Sequence, residues 1–288
     1  MFGGKIKGNT AKKMRVSLQA ECQNCFGLCC TALNIVASSD FAMNKAAGTP
    51  CLHLQADYSC DIHSSLREKG FKGCTVFDCL GAGQMVSQTT FKGQDWRKHP
   101  QIAENMFRVF PIMEQLYEMM AYLAEALSYE VSSSLAEKLH NQFEQLQHLT
   151  RQDADTLLAI DIMTYRMPIN ALLLETSEHI RHHLISKVSD AKTKRKYNYR
   201  GVDWVWKNFK GKDLTATDLR GAYLIAANLQ NADLRGVDFI GADLRDADLS
   251  GANLSTSMFL TQMQINSAKG NHKTILPAHL KRPSHWND

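Results

Sequence analysis

From Trp204 onward, every fifth residue is leucine or aromatic: Trp204, Phe209, Leu214, Leu219, Leu224, Leu229, Leu234, Phe239, Leu244, Leu249, Leu254 and Phe259. Two residues before each lies a second column, which becomes small from the middle onward through Ala222, Ala227, Ala232, Val237, Ala242, Ala247, Ala252 and Ser257. Asp or Asn separates the two columns at most repeats, as at Asp213, Asn228, Asp243 and Asn253. An α-helix cannot bury this pattern, because a step of five advances about 500° and smears the leucines around the helix. In an extended chain, residues two apart share a face. Both columns therefore point inward and the residue between them points out. A turn every five residues winds such a chain into coils that stack Leu on Leu and Ala on Ala. One coil cannot bury its inner face alone, but a stack can. Lys207, Lys212 and Thr217 occupy the small column early on, so the first coil is expected to be irregular.

A different period fills the stretch from Pro100 to about Ser186. Met106, Phe110, Met113, Tyr117, Met120, Ala124 and Leu127 recur at steps of three and four, as do Leu135, Leu139, Phe143 and Leu146. That spacing predicts amphipathic helices. Pro100 suits a first helical position. Asp153 or Asp155 is expected to cap a third helix beginning near Leu157, and Pro168 to open a fourth through Leu172, Ile180 and Leu184. Four helices with short connections predict an antiparallel bundle over residues 98–188. The stripe Met106, Met113 and Met120 reads as core, or as a seam joining the helices of a homodimer.

Composition adds one decisive fact. All eight cysteines lie between Cys22 and Cys79, in the order Cys22, Cys25, Cys29, Cys30, Cys51, Cys60, Cys74 and Cys79. Lys5 and Lys7 have no apolar core behind them, so the start does not read as an export signal. A cytoplasmic, reducing setting is the expectation, and clustered thiols there point to metal rather than to disulfides. A Cys-x-x-Cys turn brings two thiolates toward one ion, which suits zinc or an iron–sulfur cluster. Neighbouring Cys29 and Cys30 do not easily reach one tetrahedral centre together, which leaves room for a second metal or a polynuclear cluster. His53 and His63 lie in the same segment and read as loop residues. His179, His182 and His183 read as solvated, and Gly81-Ala82-Gly83-Gln84 reads as a simple turn. No run approaches the roughly 18 or more apolar residues of a membrane-spanning helix.

The triplets Ala232-Asp233-Leu234, Ala242-Asp243-Leu244, Ala247-Asp248-Leu249 and Ala252-Asn253-Leu254 resemble the pentapeptide-repeat family. The resemblance implies a right-handed quadrilateral β-helix with four pentapeptides per coil, hence three coils over 201–267. The cysteine order, with Cys51-Leu52-His53-Leu54, Cys60-Asp61-Ile62-His63 and Arg67 in between, is similar to a family described as zinc- or iron-chelating Cys-rich domains. That family includes flagellin N-methylase-like proteins. This second resemblance implies metal ligation by the cysteines, and it admits an enzyme that modifies a partner protein as the alternative function.

Charge then limits the partners. The net charge of +4 is concentrated in Lys5, Lys7, Lys12, Lys13 and Arg15, and in Lys187, Lys192, Lys194, Arg195, Lys196 and Arg200. Both runs read as solvated segments. Some pentapeptide-repeat proteins imitate DNA, but Gly201 to Ser267 holds eight acids against six bases, a net −2. Three coils at about 4.8 Å each span roughly 15 Å, less than half of a DNA turn of about 34 Å. Nucleic-acid mimicry is therefore not expected, and a protein partner on the solenoid is. The full expectation is a mixed fold: a basic tail (1–20), a Cys-rich metal-binding module (21–97), a helical bundle (98–188), a basic linker (189–200), a pentapeptide-repeat β-helix (201–267) and a C-terminal cap (268–288). Its function would be metal binding coupled to a protein-binding scaffold, with metal or redox sensing as one use.

Overall fold

The computed structural model describes residues 13–188 and 197–286. Lys5, Lys7 and Lys12, and the run Lys192 to Lys196, lie outside them. The chain divides after Leu173 into two compact units.

After a helical turn at residues 13–16, the first unit has a 3₁₀ turn at Cys22–Asn24 and short helices α1 (Leu28–Thr31), α2 (Lys72–Val76) and α3 (Ala82–Gln84), the last running into a π-helical turn at Met85–Thr90. Then come α4 (Pro100–Ala126), α5 (Ser133–Leu149) and α6 (Ala154–Ala159). Pro100 sits in the first turn of α4, as its lack of an N–H favours. Ser132 and Asp153 cap α5 and α6 by accepting from the N–H groups of Leu135 and Thr156. Helix α4 packs on both α5 and α6. Met106, Met113 and Met120 are buried there with Phe110, Leu139, Phe143 and Leu157, so the methionine stripe is filled within one chain and is core. Arg15, read as tail, instead pairs with buried Glu125 at 2.9 Å.

The predicted fourth helix begins earlier than Pro168. Asp161 accepts from the N–H of Met163 at 3.0 Å and starts α7 (Ile162–Val188), leaving Pro168 inside it. From Leu174 on, α7 belongs to the second unit, which corrects the four-helix bundle over 98–188. The buried residues there are Thr176, Ser177 and Arg181, a polar set that an apolar-stripe reading passes over.

The second unit is the solenoid. Parallel bridges join residues 20 apart, Asn198 to Asp218 to Asp238 to Met258 and Asn208 to Asn228 to Asp248 among them. Four pentapeptides therefore make one coil, joined to the next by single-residue bridges. The ladder begins at Asn198, inside the segment read as linker, because Asn198-Tyr199-Arg200-Gly201 already carries the repeat. Leu219 to Leu254 and Ala222 to Ala252 fill the interior. The intervening Asp and Asn residues point out, and each carboxylate or amide oxygen accepts the backbone N–H two residues on, as from Asp213 to Thr215 and from Asp243 to Arg245. The corners use a third column with left-handed backbone: Gly201, Trp206, Gly211, Ala216, Gly221, Ala226, Asn231, Gly236, Gly241, Asp246 and Gly251. At the far end, Lys269 and Ile275 extend the ladder around an inserted helix α8 (Gln262–Ser267), and Trp286 is buried against the core.

Candidate functional site

The eight cysteines are free thiols, seven half-buried and Cys22 exposed. The Cys22–Asn24 turn closes with the Cys25 N–H donating to the Cys22 carbonyl at 3.2 Å. Cys29 and Cys30 follow on α1, with sulfurs 3.9 Å apart. The N–H of Cys51 donates to the carbonyl of Cys30 at 2.9 Å, that of Leu54 to Cys51 at 3.0 Å, and Leu54 bridges to Cys60. Gly27 holds left-handed backbone at φ 63°, which favours glycine, and a Cβ there would also stand 2.7 Å from Leu54 Cδ1, which marks how closely these two turns approach. Cys74 lies on α2, and Cys79 precedes α3. The backbone of α3 walls both Cys25 and Cys79, since a Cβ on Gly83 would stand 2.7 Å and 3.8 Å from their sulfurs.

Backbone N–H groups aim at four of the sulfurs: Gly27 and Leu28 at Cys25, His53 at Cys51, Ile62 at Cys60, and Gly81 and Gly83 at Cys79. Such bonds favour the thiolate, yet burial outweighs them. Burial pushes Cys25 and Cys74 up to about 11 and raises Cys51, Cys60 and Cys79. Cys29 is raised by its contact with Cys30, and Cys30 is held down to about 7 by the same contact, with the Lys45 charge assisting. Lys45 is 5% exposed, and its ammonium donates to the carbonyls of Thr31, Leu33, Ala46 and Thr49 at 2.5–3.2 Å. It thus ties together the loop between Cys30 and Cys51 and places a cation beside both. Neither Lys45 nor Gly83 was apparent from spacing; an isolated lysine carries no pattern, and Gly83 passes for a turn glycine.

His53 Nδ1 is engaged by Asp61 at 2.9 Å, and its ring meets Phe71 edge-on; His63 is exposed. His179, His182 and His183 are exposed on α7. Among the described residues, no group of three or more His, Cys, Asp or Glu side chains is placed to hold a metal ion. The donor chemistry nonetheless fits thiophilic metals: half-buried sulfurs, with N–H groups already directed at four of them. No helix among the described residues is long and apolar enough to cross a membrane.

On the solenoid, α7 covers one face. Arg181 pairs with Asp218 at 3.3 Å, both buried, and Asp238 is buried next to Arg220 and Ser177. Two of the outward acids are matched by arginines in the same repeat, Arg235 with Asp233 and Arg245 with Asp243, each at 2.6 Å. Such pairing cancels charge where a DNA mimic would accumulate it. Trp206 and Tyr223 stand 79% and 53% exposed on neighbouring coils of one face.

The family described as Pentapeptide repeats matches residues 208–255 in eight copies. Over 269 residues the chain is 52% identical to "Uncharacterized protein YybG" of Bacillus subtilis (strain 168), covering 93% of this chain and 95% of that one. Among solved structures it is similar to the pentapeptide repeat protein Rfr23 from the cyanobacterium Cyanothece 51142, at 28% identity, 27% of this chain, 56% of that one and a TM-score of 0.21. A pentapeptide repeat protein from the Arabidopsis thaliana thylakoid lumen is 31% identical over 31% of this chain and 61% of its own, with a TM-score of 0.15. The chain thus spans little more than half the length of either solved protein.

Proposed function

We propose that this chain, which belongs over nearly its whole length to the family of Bacillus subtilis YybG and carries pentapeptide repeats at residues 208–255, is a metal-binding scaffold protein of a reducing, cytoplasmic setting. Cys22, Cys25, Cys29, Cys30, Cys51, Cys60, Cys74 and Cys79 would hold zinc or an iron–sulfur cluster, and the solenoid would hold a protein partner. One observation carries the metal reading: seven half-buried thiols and the exposed Cys22 share one segment, and backbone N–H groups are directed at four of the sulfurs. Bound metal would supply a cross-link between turns distant in sequence and would replace thiol protons that burial otherwise retains. Likeness of the cysteine order to zinc- or iron-chelating domains supports the same reading.

For the scaffold, the support is the exposed pair Trp206 and Tyr223, since aromatic side chains anchor protein interfaces. One face is occupied by α7, so the partner is assigned to the faces that remain. Metal analysis and an absorption spectrum of anaerobically purified full chain test the proposal. Stoichiometric zinc in colourless protein, or iron with sulfide in coloured protein, is the expected result. Metal-free protein that remains fully folded and takes up neither would overturn it.

A further inference from the structure

Resting on the scaffold half of that reading, we infer that the first coil of the solenoid, residues 197–216, is a docking edge for an extended acidic segment of the partner protein. Charge is divided along the solenoid. The first coil holds four bases, Arg200, Lys207, Lys210 and Lys212, against two acids, Asp203 and Asp213. Residues 217–256 hold three bases against six acids. An acidic segment is therefore repelled by the later coils and attracted to the first.

Lys207 and Lys212 stand where later coils carry alanine. Their N–H groups donate to the carbonyls of Trp204 and Phe209 at 3.1 and 3.0 Å, the same bond by which Ala222 and Ala242 donate to Leu219 and Phe239. Both alanines are buried, whereas both lysines are exposed, as is Lys210. The long stem of a lysine lets its ammonium lean out of such a position into water. Arg235 and Arg245 of the later coils each pair with an acid of their own repeat, but Lys207, Lys210 and Lys212 make no ion pair among the described residues.

The backbone of this coil is open on the edge away from the second coil. In the second coil, the N–H groups of Tyr223 and Asn228 donate back to the carbonyls of Val202 and Lys207 at 2.9 Å. The equivalent N–H groups of Asp203 and Asn208 donate to no acceptor among the described residues, and both residues are exposed. Such donors accept a further strand. Trp204 and Phe209 stack there with ring centroids 4.2 Å apart and stay half-buried, where Leu224 and Leu229, one coil on, are fully buried. Open donors, an apolar floor and uncompensated cations fit one occupant. It is an extended chain whose backbone pairs with the edge, whose apolar side chains cover the rings and whose carboxylates meet the lysines.

A fluorescein-labelled octapeptide alternating Val and Glu tests this on the full chain by anisotropy at moderate salt. The wild type should bind it. It should not bind the Val–Lys counterpart, nor the Val–Glu peptide N-methylated at every second residue, which cannot pair with a strand edge. Lys207→Ala/Lys212→Ala restores the alanine of that column, so the coil keeps its fold, and should weaken binding by about tenfold through loss of two charge pairs. Equal binding of the Glu and Lys peptides, or full affinity in the double variant, overturns the site. Loss of affinity in Tyr223→Ala but not in the double variant would move the partner to the exposed aromatic face, so that the scaffold reading stands and this site falls. A wild type that binds neither peptide also overturns it. Oligomers of the double variant, seen by sedimentation, would then assign the lysines to keeping a second copy off the edge.

Discussion

The two halves of this protein are held together in opposite ways. In the solenoid, each interior position repeats every five residues and each backbone bridge spans 20, so cohesion is distributed and every coil depends on its neighbours. In the cysteine-rich segment, the buried apolar residues Leu28, Ile35, Leu54, Leu66, Phe71, Val86, Phe91 and Trp96 follow no period. Between them sit sulfurs drawn from positions as far apart as 22 and 79. One half is a sum of many equal contacts. The other places its cohesion at a few points, and the two should fail differently.

Metal removal gives the largest expected contrast. Anaerobic chelation should loosen residues 21–97, seen as faster amide exchange at Cys51, Leu54 and Asp61, while the ladder from Asp213 to Asn253 keeps its protection. Equal protection before and after removal would mean that the small apolar core holds the segment unaided. Leu234→Asp or Phe239→Asp is the mirror experiment. Both side chains are fully buried, and a charge there costs several kcal/mol. Exchange should rise across the coils and stay unchanged around the cysteines; a uniform rise would merge the two halves into one cooperative unit.

How well each half could be read follows from the same contrast. The inward columns and the outward acids were legible because every environment recurs, whereas the coil of four repeats came from the resemblance to the pentapeptide-repeat family. The left-handed corner column was not, since Trp206, Ala216 and Asn231 share it with glycine and hide the pattern. In the cysteine-rich segment the thiols announced themselves, but their neighbours did not. The pairing of Cys25 with Cys79 across Gly83, and the carbonyl cage of Lys45, arise from contacts distant in sequence. The second half of α7 was misassigned to the bundle for a related reason: the side chains it buries are Thr176, Ser177 and Arg181, which no apolar period marks.

That covered face predicts a pH effect confined to the solenoid. Burial pushes Asp238 up to about 6, with Ser177 and Arg220 opposing. The unfolded group titrates near 3.8, so the folded state binds its proton more tightly. Stability of the second unit should therefore rise as pH falls through 6 toward 4, by at most about 3 kcal/mol at 1.36 kcal/mol per pH unit. Asp238→Asn should flatten this slope in denaturant titrations. An unchanged slope would assign the pH dependence elsewhere.

Gly236 and Gly241 sharpen the picture at smaller scale. Both have φ of 66°, so alanine strains the backbone equally, by about 1–2 kcal/mol. A Cβ on Gly236 would also stand against Leu184 of α7, whereas on Gly241 the nearest atom is 3.9 Å away. Gly236→Ala should cost more and should raise amide exchange in residues 174–186, which Gly241→Ala leaves protected. Equal costs would mean that α7 yields freely at that contact.

The smallest effect tests the outward column. Arg235 is exposed and pairs with Asp233 of its own repeat, an arrangement in which the Coulomb gain is screened and offset by ordering a long side chain. Arg235→Ala removes that pair but keeps the backbone N–H of residue 235, which still donates to Asp233 Oδ1. Its expected cost is therefore within about 0.5 kcal/mol. Asp233→Ala removes both the ion pair and the acceptor of that N–H, and it should cost about 1 kcal/mol, the net worth of one such hydrogen bond. The two variants, measured by chemical denaturation at moderate salt, separate the charge from the turn. If Arg235→Ala proves as costly as Asp233→Ala, the ion pair holds the repeat and the outward acids act as charges. If it proves neutral, their place in the repeat is fixed by the hydrogen bond that closes each turn.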